Sequence, residues 1–344
     1  MIRVSIVGAS GYVGGELLRL LLAHPLVQLV AVTSERRAGQ PVPSLHPHLR
    51  GHTDLRFTSA QDLEEVDLLF LALPHGVAAG SIERFAGLAE RIVDCSADFR
   101  LNDLQEYERW YGSEHPEPKW LERFVYGLAE VNRNQLREAR YISGVGCNAT
   151  ASNLALLPLV RAGVLDPERP VVVDLKVGSS EGGREANGAS HHPERAGIVR
   201  PFAPVGHRHT AEVMQVTGLQ DVHLSVTSVE LVRGVAAAAH AWLKEPMQDR
   251  DMWALWRESY ASEPFVRIVH QRGGAYRHPE PRLVTGTNHA DVGWALDADG
   301  KRVVALSAID NLTKGAAGSA VQCMNLALGF EETLGLGVIG LHPA

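Results

Sequence analysis

Three features of this sequence have residue types and spacings that can do chemistry. They are a thiol at Cys147, an imidazole pair at His207 and His209, and glycines at 8, 11 and 14. Cys147 lies in Ser143-Gly144-Val145-Gly146-Cys147-Asn148-Ala149-Thr150, after a flexible turn. It opens an apolar helix pattern carried by Leu154, Leu156, Leu157, Leu159 and Val160. A helix N-terminus offers unsatisfied N–H groups and partial positive charge. Both favour thiolate over thiol, so the thiol is expected below its free value of about 8.5. A thiolate so placed is a nucleophile for an acyl carbon. The competing reading is a packing cysteine, since free cysteine is often buried. Cys95, in a strand pattern, and Cys323, in a helix pattern, suit that role better.

The imidazoles stand at the end of a long segment, Gly178 to Thr210, between strand patterns. It reads as a loop, and a structureless stretch of that length is uncommon unless functional. It is rich in cationic and imidazole groups suited to an anionic substrate, with Arg184, His192 and Arg195 as candidates to hold it. Acid/base work is expected of at least one of His207 and His209. No carboxylate or cysteine stands at a convincing metal-ligand spacing from them, so no metal is expected.

These groups must be carried by a scaffold. Residues 2–7 read as a buried parallel strand. They run into Gly8-Ala9-Ser10-Gly11-Tyr12-Val13-Gly14 and then a leucine-rich helix. Strand, glycine turn and helix in that order suit a dinucleotide fold. Gly8 serves the tight turn, Gly11 leaves space for a pyrophosphate, and Gly14 allows close helix packing. Gly8, Ser10, Gly11, Tyr12, Val13 and Gly14 are therefore assigned to the cofactor. The next strand, from Val27, ends at Thr33-Ser34-Glu35-Arg36-Arg37. A hydroxyl and guanidinium groups beside a single carboxylate favour a 2′-phosphate, hence NADPH, with Ser34, Glu35 and Arg36 near it. A solvated charged turn is the alternative.

Further strands end at Pro74-His75-Gly76 and at Ser96-Ala97-Asp98-Phe99-Arg100, where Pro74 and Ser96 border the same sheet edge. Arg100 has two open roles, an anionic substrate group or Asp98. Tyr141-Ile142-Ser143 is a last strand leading to Cys147, so the thiol is expected at the cofactor's edge. A helix over 148–162 follows. Strand patterns at 170–177, 222–227 and 229–237, with a helical interval near 248–262, indicate a second, α+β domain. A strand at 303–309 leads to Asp310-Asn311-Leu312-Thr313-Lys314-Gly315. Small residues from Gly315 to Gly318 open a final helix whose N–H groups are expected to meet an anion or the nicotinamide carboxamide. Asn311, Lys314 and Gly315 join the cofactor set on that ground. That helix is expected to return to the first domain.

The fold class is therefore α/β, an N-terminal Rossmann dinucleotide-binding domain with a second α+β substrate and dimerisation domain. The expected division is 1–146 plus 311–344, and 147–310. Across 344 residues, 45% are hydrophobic and 21% charged, as in a soluble enzyme of two domains. A net charge of −7 argues against nucleic-acid binding. Three scattered cysteines suit a reducing cytoplasm. No signal peptide or bilayer-spanning run is visible.

With these pieces placed, the chain resembles the N-acetyl-γ-glutamyl-phosphate reductase family, which includes a lysine-pathway branch. The resemblance covers nearly the full length. It rests on Gly8–Gly14, Leu73–Gly76, Asp94–Arg100, Gly146–Thr150, Gly206–Thr210 and Asp310–Gly318. It implies NADPH as reductant, an acyl-phosphate substrate, Cys147 as nucleophile and His207 or His209 as acid/base. The run Gly144-Val145-Gly146-Cys147-Asn148, with Ser190-His191-His192-Pro193-Glu194-Arg195, is similar to the branch that reduces α-aminoadipate 6-phosphate. In that branch the substrate is tethered to a small acidic amino-group carrier protein. Arg184, Arg195, Arg200 and Arg208 give a local cationic face for such a partner. Arg100, Asn148, Arg184, His192 and Arg195 are the implied substrate residues, and a homo-oligomer, dimer or tetramer, is expected. The arginine-pathway reductase, or an enzyme serving both pathways, is the alternative.

Overall fold

The computed structural model describes residues 1–343. The chain divides into two compact units. One comprises Met1–Val145 with Ala316–Val338, and the other Gly146–Gly315 with the tail from Ile339. The sequence-based division placed 146, 311–315 and the tail from Ile339 in the first unit. The structure keeps them in the second, 311–315 because Asn311 and Gly315 pack on that unit's own turns, as described below.

The first unit is built on seven strands: β1 (Ile2–Val7), β2 (Val27–Thr33), β3 (Phe57–Thr58), β4 (Val66–Leu71), β5 (Ala89–Asp94), β6 (Phe124–Tyr126) and β7 (Tyr141–Ser143). Their order is β3-β2-β1-β4-β5-β7-β6, all parallel. Residues 4–7 and 68–71 are buried outright, as expected of strands covered on both faces. The helix Gly318–Ala327 does return here, packing on the helices Tyr12–Leu22 and Ala129–Glu138 and on β5. The helix Ala129–Glu138 was not read from sequence, and neither was the helix Leu104–Tyr111. It is capped by Asp103, whose Oδ1 accepts from Gln105 and Glu106 N–H, and ends at Gly112 with φ 70°.

The second unit carries β8 (Val171–Val177), β9 (Val199–Ala203), β10 (Val222–Val229), β11 (Val235–Trp242), β12 (Val266–Ile268), β13 (Ala290–Leu296) and β14 (Arg302–Ile309). Their order is β12-β13-β14-β11-β8-β10-β9, mixed parallel and antiparallel. The helix Cys147–Arg161 lies against β11, β13 and β14 and is buried from Asn148 to Leu159. Pro158 cannot donate to the carbonyl of Leu154. The hydroxyl of Tyr260 donates to that carbonyl instead.

Two sequence expectations are corrected here. The 229–237 strand begins instead at Val235, because Gly234 at φ 121° turns the chain after β10. The 178–210 segment is not structureless. It holds a short helix, His192–Arg195, and the edge strand β9, and the helix His209–Thr217 starts at its end.

Candidate active site

In the first unit the cofactor candidates sit on loops that follow adjacent parallel strands. Gly8–Gly14 follows β1, Ser34–Arg36 follows β2, Pro74 follows β4 and Ser96 follows β5. All lie at the carboxyl edge, where the strand order reverses between β1 and β4, the place such folds bind ligands. The three glycines do different work. Gly8 has φ 86°, and a β-carbon there would lie 2.5 Å from the carbonyl oxygen of Ala72. A β-carbon on Gly14 would lie 2.6 Å from the Ala9 α-carbon, whereas one on Gly11 would meet nothing within 4 Å. Gly11 is also the N-cap of Tyr12–Leu22 and brings no capping side chain. An open, uncapped helix start fits a dinucleotide pyrophosphate. His46 backs the turn, its Nε2 within 2.9 Å of the Ala9 carbonyl oxygen.

At the end of β2, Glu35 points to the neighbouring loop. Its Oε1 accepts from Ala60 N–H at 2.8 Å and its Oε2 from Ser59 Oγ at 3.0 Å. The bonds from Ala60 and Ser59 hold its carboxyl below the usual range. Near Pro74, His75 Nδ1 lies 2.7 Å from Asp98 Oδ1, and Asp98 also accepts from the N–H groups of Gly76 and Ala79. Burial works to raise the Asp98 carboxyl, but these bonds outweigh it and hold it low. Arg100 is buried, with Nε donating to the Ser96 carbonyl at 2.9 Å.

In the second unit Cys147 is the first residue of its helix, as the sequence indicated, and is half-buried. Two glutamates absent from the sequence-based candidates converge there. Glu212 Oε2 accepts from Gly146 N–H at 2.8 Å. Glu181 Oε1 accepts from Asn148 Nδ2 at 2.6 Å, with Cys147 Sγ at 3.8 Å. Burial pushes the Glu181 carboxyl up to about 7, against the opposing pull of Asn148, Cys147 and the Arg208 charge. Glu212 follows His209 by one helical turn, a signal readable only once a helix is placed over 209–217. Glu181 is a lone carboxylate between serines and glycines, with no periodicity to mark it.

The two histidines have distinct settings. His209 is buried, with Nε2 3.8 Å from Glu212 Oε1. His207 Nδ1 accepts from the His209 N–H at 3.2 Å, which leaves Nε2 to carry the proton of the neutral ring. Burial, then the Arg208 charge, lower His207 to about 4. It is therefore neutral near pH 7, and a donor through Nε2.

Among the other candidates, Arg195 and Asn311 hold structural bonds. Arg195 donates to Ser228 Oγ and to the carbonyls of Val229 and Leu231, clasping its loop to the end of β10. Arg184 and His192 are exposed. Asn311 donates from Nδ2 to Ser180 Oγ at 2.9 Å, and its Oδ1 accepts from Gly234 N–H at 2.8 Å. Lys314 is fully buried, 5.7 Å from the centre of the Phe265 ring. The final helix does not open at Gly315. A π-helical turn, Thr313–Ala317, precedes it, and Gly315 N–H donates to the Asp310 carbonyl. Asp310 Oδ1 takes the N–H groups of Leu312 and Thr313, so a side chain already occupies the start of the π-helical turn.

The profile of the semialdehyde dehydrogenase NAD binding domain matches residues 3–139, and that of the semialdehyde dehydrogenase dimerisation domain matches 147–311. A relative from Thermomicrobium roseum is 54% identical over 350 residues, covering 100% of this chain and 99% of its own. It bears the name of a [LysW]-L-2-aminoadipate 6-phosphate reductase. The Deinococcus radiodurans enzyme of that name is 50% identical over 341 residues, covering 99% and 98%. In fold, the chain matches aspartate semialdehyde dehydrogenase II from Vibrio cholerae with a TM-score of 0.74 at 17% identity, over 96% of this chain and 99% of that one. Among the described residues no helix is long and apolar enough to cross a membrane. An uncapped dinucleotide turn, a thiol at a helix start and full-length identity to these reductases converge: the chain belongs to the semialdehyde dehydrogenase family and is a nicotinamide-dependent oxidoreductase of that family.

Proposed function

We propose that this enzyme reduces L-2-aminoadipate 6-phosphate, held on a small acidic amino-group carrier protein, to the 6-semialdehyde with release of phosphate, in cytoplasmic lysine biosynthesis. The observation that carries the reading is Cys147 at the first position of its helix, in a chain half identical to reductases named for that substrate. Cys147 attacks the acyl phosphate, phosphate leaves, and the acyl group is held as a thioester. N–H groups of the helix's first turn stabilise the oxyanion. The Gly8–Gly14 turn would hold NADPH, which would supply the hydride. The thiohemiacetal left on Cys147 then collapses to the aldehyde. His209, anchored against Glu212, relays the proton at oxygen, and neutral His207 donates from Nε2 to orient that oxygen.

NADPH rather than NADH is supported by Glu35, both of whose oxygens are already engaged by Ser59 and Ala60, and by the adjacent Arg36. The carrier's acidic surface meets the exposed Arg184 and Arg208. A second copy of the chain is a further partner, in keeping with the dimerisation-domain match.

The test supplies carrier-bound aminoadipyl phosphate and free N-acetylglutamyl phosphate in turn, with NADPH. Turnover of the first, abolished in Cys147→Ala, supports the reading. Preference for the free substrate would move the enzyme to the arginine-pathway reaction. Wild-type turnover by Cys147→Ala would overturn the thioester scheme.

A further inference from the structure

The scheme above leaves one group beside the sulfur unused. Glu181 Oε1 is 3.8 Å from Cys147 Sγ and accepts the Asn148 amide, while its Oε2 and Asn148 Oδ1 are both buried with no hydrogen-bond partner among the described residues. The turn that carries Glu181 is pinned. Gly178 N–H donates to the Gly234 carbonyl, Ser179 to Leu231 and Ser180 to Val232, and Asn311 holds Ser180 Oγ. A β-carbon on Gly178 would lie 2.7 Å from the Val232 oxygen, so the turn sits close on its neighbour. The carboxyl is thus aimed at the thiol by a fixed frame.

We propose that Glu181 is a further catalytic residue, which takes the thiol proton as Cys147 attacks and passes it to the departing phosphate. This rests on the thioester reading. The S–C bond forms and the C–O bond to phosphate breaks. The proton leaves Sγ for Glu181 and ends on phosphate, so thiol and acyl phosphate dianion become thioester and hydrogen phosphate, with no change of oxidation state. When the C–S bond later breaks, Glu181, reprotonated from solvent, returns a proton to the sulfur. The carboxyl serves sulfur and the histidine serves oxygen. Glu181 faces Cys147 and Asn148 from the helix and the Arg208 charge from the loop before His209. Its ionisation near neutrality lets it both accept and give a proton.

The test compares wild type with Glu181→Gln, Glu181→Asp and Glu181→Ala in turnover of the carrier-bound acyl phosphate. The p-nitrophenolate burst from p-nitrophenyl acetate is read as an acylation step free of cofactor. Glu181→Gln keeps the shape but cannot take a proton. It is expected to lower kcat and the burst rate about 10²-fold, with KM little changed, and to remove the ionisation near pH 7 from the acid limb of kcat/KM. Glu181→Asp retains that limb, and formate restores Glu181→Ala by about tenfold. A Glu181→Gln enzyme within a few-fold of wild type and with an unchanged limb overturns the proposal, as does absence of formate rescue. Cys147→Ala separates the two ideas. If it is inactive while Glu181→Gln is normal, only the role of Glu181 fails. If it is active, the thioester reading itself fails.

Discussion

A β-carbon placed on Gly315 would lie 2.6 Å from the Cys147 β-carbon and 3.1 Å from its α-carbon. The π-helical turn therefore packs its bare backbone directly on Cys147. Gly315 serves the thiol's position, an unexpected use for a residue whose sequence context pointed to the cofactor. Gly315→Ala must displace either Cys147 or the turn. Overpacking of this kind costs about 1–3 kcal/mol. Its larger effect is expected on kcat, about tenfold or more, since small misplacements of a reacting group are costly. Steady-state kinetics beside a thermal melt check this. A melt lowered with kcat intact would show that the turn, not the cysteine, gives way.

The glycines of the N-terminal turn separate stability from binding. Gly14→Ala drives a β-carbon into the Ala9 backbone, with no side chain able to yield. It should lower the melting temperature by several degrees, as a loss of about 1–3 kcal/mol does. Gly11→Ala meets only open space. It should leave the melt unchanged and raise the KM for NADPH about tenfold if that space receives the dinucleotide, as proposed. Equal melts for both variants would contradict the assignment.

The parallel sheet and its returning helix were legible because buried parallel strands are near-continuous apolar runs, as at Val66–Leu71, and glycine turns mark their ends. Cys147 was legible because a turn of small residues and a leucine-rich pattern bracket it. The Leu104–Tyr111 helix was hidden by its aromatic composition and short span. The helix His209–Thr217 was hidden because the histidines at its start drew the loop assignment onward. Glu181 reaches Cys147 from 34 residues further along the chain and Glu212 reaches Gly146 from 66, a proximity that only folding creates. Arg195 and Asn311 carry structural bonds that their sequence context did not announce. Their chemistry suited a ligand, yet each satisfies backbone or side-chain groups of its own unit.

Asp94 gives a pH-dependent term. It is fully buried and accepts from Ser96 N–H at 3.0 Å and Ser96 Oγ at 2.6 Å. Burial, then the nearby Asp98 charge, push its carboxyl up to about 7, against the pull of Ser96 and Arg100. A carboxyl raised on folding holds its proton more tightly in the folded state. Its stabilising contribution is full below the unfolded value and is lost as pH rises through the folded one. The first unit should therefore lose stability between about pH 4 and pH 7 from this group. Asp94→Asn, neutral throughout, should flatten that slope in melts taken across the range. An unchanged slope would place the dependence elsewhere.

Arg36 is expected to decide the coenzyme on the NADPH reading. Glu35 beside it is engaged through both oxygens by Ser59 and Ala60, so the carboxylate that would hold a ribose diol is turned away. On that reading the cationic side chain after β2 would recognise a 2′-phosphate, a charge-assisted contact NADH lacks. Arg36→Ala should raise the KM for NADPH about tenfold and leave that for NADH within a few-fold, since a hydrogen bond to a charged group is worth about 1.5–3 kcal/mol. Freeing Glu35 by Ser59→Ala should move selectivity the same way, by weakening one of its two tethers. Measured kcat/KM ratios for the two coenzymes decide it. If Arg36→Ala weakens both equally, the charge acts on the pyrophosphate, and selection between coenzymes lies with Ser34.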